Sequence, residues 1–134
     1  MVKICGITSV EQGRAIAQYA PYALGYICVR QSPRYVSPEK IAAITSAVVV
    51  EKPEVQHFGV FVNESVGEMV AIAHQANLTT LQLHGDETSA TCQLLRDALK
   101  NADLSNVQIV KAFRIRSSAD LTEVHQYEPY VDML

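Results

Sequence analysis

The sequence predicts an α/β protein built on a parallel sheet, and three observations lead there. Strand-like and helix-like segments alternate along all 134 residues, the pattern of a parallel sheet with right-handed crossovers. Helix-start signals follow the first two strand-like segments: Ser9, and the run Ser37-Pro38-Glu39. There is no domain linker and no low-complexity tract, so the βα unit is the only repeat.

In order, residues 2–7 read as the first strand and residues 10–20 as the first helix, with Ser9 at its N-cap. Residues 23–29 form a second, buried strand. The next helix opens at Ser37-Pro38-Glu39, where a serine cap, a proline at the first position and an early acid coincide, and runs to about Val48. Residues 56–62 are a third strand, and residues 65–76 a helix in which Val66, Met69, Val70 and Ala73 recur at helical spacing. Residues 79–84 are a fourth strand, and residues 87–101 a helix with Cys92, Leu95 and Leu99 on one face. Residues 107–113 make a fifth strand, residues 117–127 a short fifth helix, and a sixth strand begins near Tyr130.

Five βα units and a partial strand fit two architectures. One is a complete flavodoxin-like, doubly wound sheet of five strands. The other is a parallel (β/α)8 TIM barrel, which needs about 250 residues, so this chain would cover about half of it. Pattern and length alone favour the complete five-stranded sheet; against it, the run Tyr130-Val131-Asp132-Met133-Leu134 reads as a strand cut in mid-course and speaks for the barrel. Strand order separates the two: 2-1-3-4-5 for the flavodoxin-like sheet, sequential for the barrel.

Composition bounds the function. With 49% hydrophobic and 19% charged residues, the chain has enough apolar material for one globular core. A formal net charge of −3 and a pI near 5.7 argue against nonspecific nucleic-acid binding, which needs a basic face. A few local donors could still hold a phosphate. No apolar run approaches the length of a membrane span, and no signal-peptide h-region precedes the first strand. Cys5, Cys28 and Cys92 are odd in number and far apart, which suits reduced cytoplasmic thiols. The histidines at 57, 74, 84 and 125 lack metal-ligand spacing, so no metal is expected.

Three strand ends carry candidate chemistry, because loops after strands line the active face of such folds. In Lys3-Ile4-Cys5-Gly6-Ile7-Thr8, Lys3 and Cys5 share a strand face. A cation beside a thiol favours the thiolate, the form that acts as base or nucleophile; the alternative is a small core hydrophobe. Gly6 lets the backbone turn and a ligand approach. In Gln31-Ser32-Pro33-Arg34-Tyr35-Val36-Ser37-Pro38, Arg34 offers a planar fork for a carboxylate or phosphate, unless it is simply solvated. In Leu81-Gln82-Leu83-His84-Gly85-Asp86-Glu87, Gln82 and His84 share a face, and His84 stands at the strand end. His84 could donate a hydrogen bond or move a proton there, or be a structural histidine. Asp86 or Glu87 is expected to cap the next helix, and Gly59-Val60-Phe61-Val62-Asn63 reads as packing. Nucleotide loops and G-x-S-x-G elbows are absent.

Taken in this order and spacing, these segments resemble the phosphoribosylanthranilate isomerase family, (β/α)8-barrel enzymes of tryptophan biosynthesis. The match runs from Lys3-Ile4-Cys5-Gly6-Ile7-Thr8 through Ser32-Pro33-Arg34-Tyr35, Ser37-Pro38-Glu39 and Gly59-Val60-Phe61-Val62-Asn63 to Leu81-Gln82-Leu83-His84-Gly85. The resemblance implies an Amadori rearrangement of a phosphorylated aldose amine to a 1-deoxyribulose 5-phosphate, with no cofactor. It implies Cys5 as general base, Arg34 facing the anthranilate carboxylate, and His84 on the substrate side. The family's general acid is an aspartate ending strand six, expected beyond Leu134. Asp132 comes too early in that strand and is expected at its entrance. The phosphate loops belong to strands seven and eight, so the 134 residues alone are expected to show little or no activity. The alternatives are an inactive half-barrel and a five-stranded binding domain. A half-barrel's unpaired edges would favour self-association.

Overall fold

The computed structural model describes all residues, Met1–Leu134. The elements are β1 (Lys3–Cys5), α1 (Val10–Ala17), β2 (Ala23–Ile27), α2 (Pro38–Glu51), β3 (Gln56–Phe61), α3 (Val66–Gln75), β4 (Thr80–Leu83), α4 (Ser89–Asn101), β5 (Gln108–Lys111) and α5 (Ser118–Val124), followed by a 3₁₀ turn at His125–Tyr127. All strand pairs are parallel, and the sheet order is β1-β2-β3-β4-β5. That order belongs to the barrel and excludes the flavodoxin-like alternative. Because every crossover steps to the next strand with the same hand, the helices collect on one side of the sheet.

Register then assigns each strand residue a side. Tyr26, Gly59, Leu81 and Ile109 align across four strands, as do Phe61, Leu83 and Lys111. This side meets the helices: Leu24, Tyr26, Phe61, Leu81, Leu83 and Ile109 are buried with Ile44 and Val48 of α2, Met69 and Ala73 of α3, and Leu95 and Leu99 of α4. The other side carries the aligned row Cys5, Gly25, Phe58, Thr80 and Gln108, and the row Ile27, Val60, Gln82 and Val110. It is the side that faces the interior of a closed barrel.

The helix starts follow local chemistry. Ser9, Ser37, Ser65 and Thr88 each accept a backbone N–H of the first turn through the side-chain oxygen. Two expectations are corrected. Helix α4 begins at Ser89 under Thr88, so neither Asp86 nor Glu87 is its cap; an ion pair with the following strand holds Glu87 buried instead. The fifth helix ends at Val124, with the tighter turn completing the segment. The sixth strand is represented by a single parallel bridge, Val110 to Met133.

One buried polar pair on the helix side has a pH consequence. Tyr26 Oη lies 2.8 Å from His57 Nδ1 and the rings stack, while His57 Nε2 is buried without a partner. Burial lowers the His57 pKa from 6.5 to about 4. The unfolded chain therefore binds the proton first as pH falls. The stability from keeping this imidazole neutral is fully present above about pH 6.5, declines below it, and is gone below about pH 4, a loss of about 3 kcal/mol. The double variant Tyr26→Phe/His57→Phe removes both polar partners. Its urea midpoint is expected to fall less than the wild type's between about pH 7 and pH 4; equal slopes would remove His57 as the cause.

Candidate active site

The candidate residues stand at the C-terminal ends of three strands. Cys5 closes β1, and its thiol is exposed, whereas Cys28 and Cys92 are buried. Burial pushes the Cys28 thiol up to about 12 and raises that of Cys92, so only Cys5 offers accessible sulfur chemistry.

Two glycines make room around it. Gly25 of β2 pairs in register with Cys5; a Cβ there would lie 2.7 Å from Cys5 Sγ and 3.2 Å from its Cα. Gly6 has φ +87°, which glycine adopts without strain, and a Cβ there would lie 2.8 Å from the Arg34 guanidinium. Arg34 therefore lies over the residue that follows the thiol. Its backbone is set by a turn in which Arg34 N–H donates to Ser32 Oγ at 3.2 Å and Tyr35 N–H to the Ser32 carbonyl at 3.1 Å. Its guanidinium makes no hydrogen bond within the chain, which leaves the fork available. Gly25→Ala is expected to destabilise the chain by about 1–3 kcal/mol through overpacking and to displace Cys5. Thermal melting and the thiol's alkylation rate would both register it.

Beneath the thiol, Lys3 Nζ lies 3.8 Å from Cys5 Sγ, donates to Gln82 Oε1 at 2.6 Å and sits 5.3 Å from the centre of the Phe58 ring. Gln82 Nε2 is 3.4 Å from His84 Nδ1. Arg34 thus packs on Gly6, the residue next to Cys5 in the chain, and a polar chain across the sheet connects Cys5 to His84. An open cavity of about 600 Å³ lies beside His84, at the ends of β3, β4 and β5, with Lys111, Arg114, Arg116 and Tyr127 in its wall. Cys5 and Arg34 do not line it.

Glu87 and Lys111 organise the loops around that cavity. They are 5% and 3% exposed, with Lys111 Nζ 3.2 Å from Glu87 Oε2. Glu87 accepts the N–H of Asn63 at 2.8 Å and of Gly85 at 2.9 Å. Lys111 donates to the carbonyls of Gly85 at 2.8 Å and Ala112 at 3.1 Å. Asn63, at φ 53°, accepts the Asp86 N–H at 2.7 Å through Oδ1. A Cβ at Gly85 would lie 2.6 Å from that oxygen. The ends of β3, β4 and β5 are therefore joined by one buried ion pair. Sequence reasoning missed this network and read Asn63 as mere packing; the signal available was an acid immediately after a strand's glycine turn.

Asp132 is elsewhere. Its carboxylate accepts the Ile109 N–H at 2.8 Å and pairs with Arg96 of α4, and its own N–H donates to the Ile109 carbonyl. Ile109 is near the start of β5, so Asp132 sits at the strand entrance, as expected. No group of three or more His, Cys, Asp or Glu side chains is placed to hold a metal ion, and no helix is long and apolar enough to cross a membrane.

The family model for N-(5'-phosphoribosyl)anthranilate (PRA) isomerase matches residues 2–134. The N-(5'-phosphoribosyl)anthranilate isomerase of Gloeothece citriformis is 48% identical over 99% of this chain and 57% of its own length. That of Trichodesmium erythraeum is 42% identical over 99% of this chain and 55% of its own. The chain thus spans somewhat over half the length of these relatives. The crystal structure of phosphoribosyl anthranilate isomerase from Thermotoga maritima superposes with a TM-score of 0.80 at 29% identity, over 100% of this chain and 62% of that one. An isomerase structure in complex with reduced 1-(o-carboxyphenylamino)-1-deoxyribulose 5-phosphate matches equally well, with a TM-score of 0.80 over 66% of its chain.

Proposed function

The chain belongs to the N-(5'-phosphoribosyl)anthranilate isomerase family, and from that premise we propose that residues 1–134 supply the base side of an aldose-to-ketose isomerisation of phosphoribosylanthranilate. The observation that carries this is the exposed Cys5 thiol at the end of β1, with the free Arg34 guanidinium lying over the adjacent Gly6.

In the reaction, an acid protonates the furanose ring oxygen, the C1–O bond breaks, and the aryl nitrogen's lone pair forms a C1=N bond. The Cys5 thiolate then removes the C2 proton, and the C2–H electrons become the C1–C2 double bond of an enolamine while the C1=N π electrons return to nitrogen. Tautomerisation to the ketone completes it. A base so placed is worth about 10²–10⁴ in rate. Arg34 provides a two-pronged site for the anthranilate carboxylate, and His84 a donor to the sugar oxygens. The ligand held by the relative in complex carries the same carboxyphenyl and ribulose phosphate groups, which supports a phosphorylated substrate here. Asp132, engaged by Arg96 at the strand entrance, is not placed to be the acid. The 134 residues by themselves are expected to turn over little substrate.

The test is a chimera in which residues 1–134 replace the matched part of the Gloeothece citriformis relative. Turnover of phosphoribosylanthranilate, lost on Cys5→Ala, is the expected result. A folded chimera with no turnover would overturn the assignment.

A second reading, as a self-associating half-barrel, is favoured by one feature. The outer edge of β1 is unpaired beside an apolar surface of Met1, Val2, Ile4, Ile16, Tyr19 and Tyr22. Sedimentation velocity would show a concentration-dependent shift. We place the protein in the cytoplasm, free of nucleic acid, on its thiols and its acidic charge.

A further inference from the structure

We propose that Gln82, oriented by Lys3, fixes the neutral tautomer of His84 so that Nε2 carries the proton, and that Gln82 and Lys3 are positioning residues for the site described above. The use made of His84 rests on the isomerase reading; the hydrogen-bond assignment does not.

The argument is one of donors and acceptors. Lys3 Nζ and Gln82 Oε1 are 2.6 Å apart. An ammonium has three donors and no lone pair, so only the amide oxygen can face it. The amide's other atom, Nε2, then carries hydrogens only, and it stands 3.4 Å from His84 Nδ1. A donor must meet a lone pair, so Nδ1 is bare. A neutral imidazole has one ring proton, which leaves it on Nε2. Lys3 is held in place by two further contacts, the Cys5 thiol at 3.8 Å and the Phe58 ring at 5.3 Å. All of these residues project from the barrel-interior side of β1, β3 and β4. One ammonium thus serves both the base and the donor. His84 is left to donate through Nε2 to a substrate oxygen, so it does not compete with Cys5 for the C2 proton.

The test uses the ¹⁵N-labelled 134-residue chain and long-range ¹H–¹⁵N correlation of the imidazole nitrogens at about pH 8, above the ordinary histidine range. The wild type should sit at the limit of the pure Nε2–H form. Gln82→Glu keeps a partner for Lys3 but offers His84 only acceptors, so His84 should switch to Nδ1–H. Gln82→Met, which serves if the charged variant does not fold, should move the signals to an intermediate mixture. A wild type already at the mixture, or a folded Gln82→Glu chain that keeps Nε2–H, would overturn the assignment. In the ¹⁵N-labelled chimera, which carries the rest of the barrel, reduced 1-(o-carboxyphenylamino)-1-deoxyribulose 5-phosphate is titrated. It should perturb Cys5, Arg34 and His84 and bind Gln82→Glu roughly tenfold more weakly. The expected tautomer with no response to the analogue upholds the hydrogen-bond assignment and sinks the isomerase reading. A response with the wrong tautomer does the reverse.

Discussion

Glu87→Ala is expected to lower the stability of the chain by about 3–5 kcal/mol. The carboxylate is the counter-charge of Lys111, and both side chains are almost wholly buried. Removing it leaves an ammonium in the interior with the carbonyls of Leu83, Gly85 and Ala112 and the Phe113 ring as partners, and no counter-charge. It also strands the N–H groups of Asn63 and Gly85, each of which loses its acceptor. Glu87→Gln keeps one oxygen for those donors but turns an amide NH₂ toward another donor, so it recovers part of the loss. Glu87→Leu with Lys111→Met removes both charges at similar volume and should recover more, because the desolvation of the pair disappears with it. Urea denaturation of the four chains checks this. The ordering Ala below Gln below the double variant, insensitive to added salt because the pair is buried, is the expected result. A Glu87→Ala midpoint within error of wild type would show that the pair is not part of the folded state.

Cys5→Ala in the chimera is expected to reduce kcat/KM by about 10²–10⁴, with KM little changed. The thiol is asked to remove a carbon-bound proton, a task performed only in the transition state, so its loss should appear in kcat. Arg34→Met should behave in the opposite sense. It holds a part of the substrate that does not react, so KM should rise more than kcat falls. Cys5→Ser preserves size and a contact for Lys3 but is a far weaker base near neutral pH, and it should track the alanine variant. If serine restored near-wild-type rates, Cys5 would be a packing residue and the base would have to be sought elsewhere.

The identity and order of the elements were legible in the chain, and so were three candidate site residues, Cys5, Arg34 and His84. Caps such as Ser9, Ser37 and Ser65 satisfy N–H groups within one turn of themselves, and alternation along a strand assigns Lys3 with Cys5, and Gln82 with His84, to common faces. These are local relations, and local chemistry is what a linear pattern records. The motif order around Cys5, Arg34 and His84 also carried the family. Element ends were less legible. The strands close one or two residues short of their expected ends because pairing with a neighbour, and not apolarity, defines them.

Other features depend on contacts between distant segments. Five βα units are compatible with either strand order, since the choice depends on which edge each crossover joins, and no residue encodes that alone. Glu87 looks like a helix cap from its neighbours. It becomes a buried counter-ion only when β5 brings Lys111 beside it. Gly25 carries no signal until β1 lies against β2 and its missing side chain becomes the space for the Cys5 sulfur. Gln82 and Lys3 are unremarkable polar residues in two strands until the curl of the sheet sets an ammonium against an amide oxygen. In each case the deciding interaction joins residues distant in the chain, and its energy exists only once burial has removed the water that would otherwise satisfy the same groups.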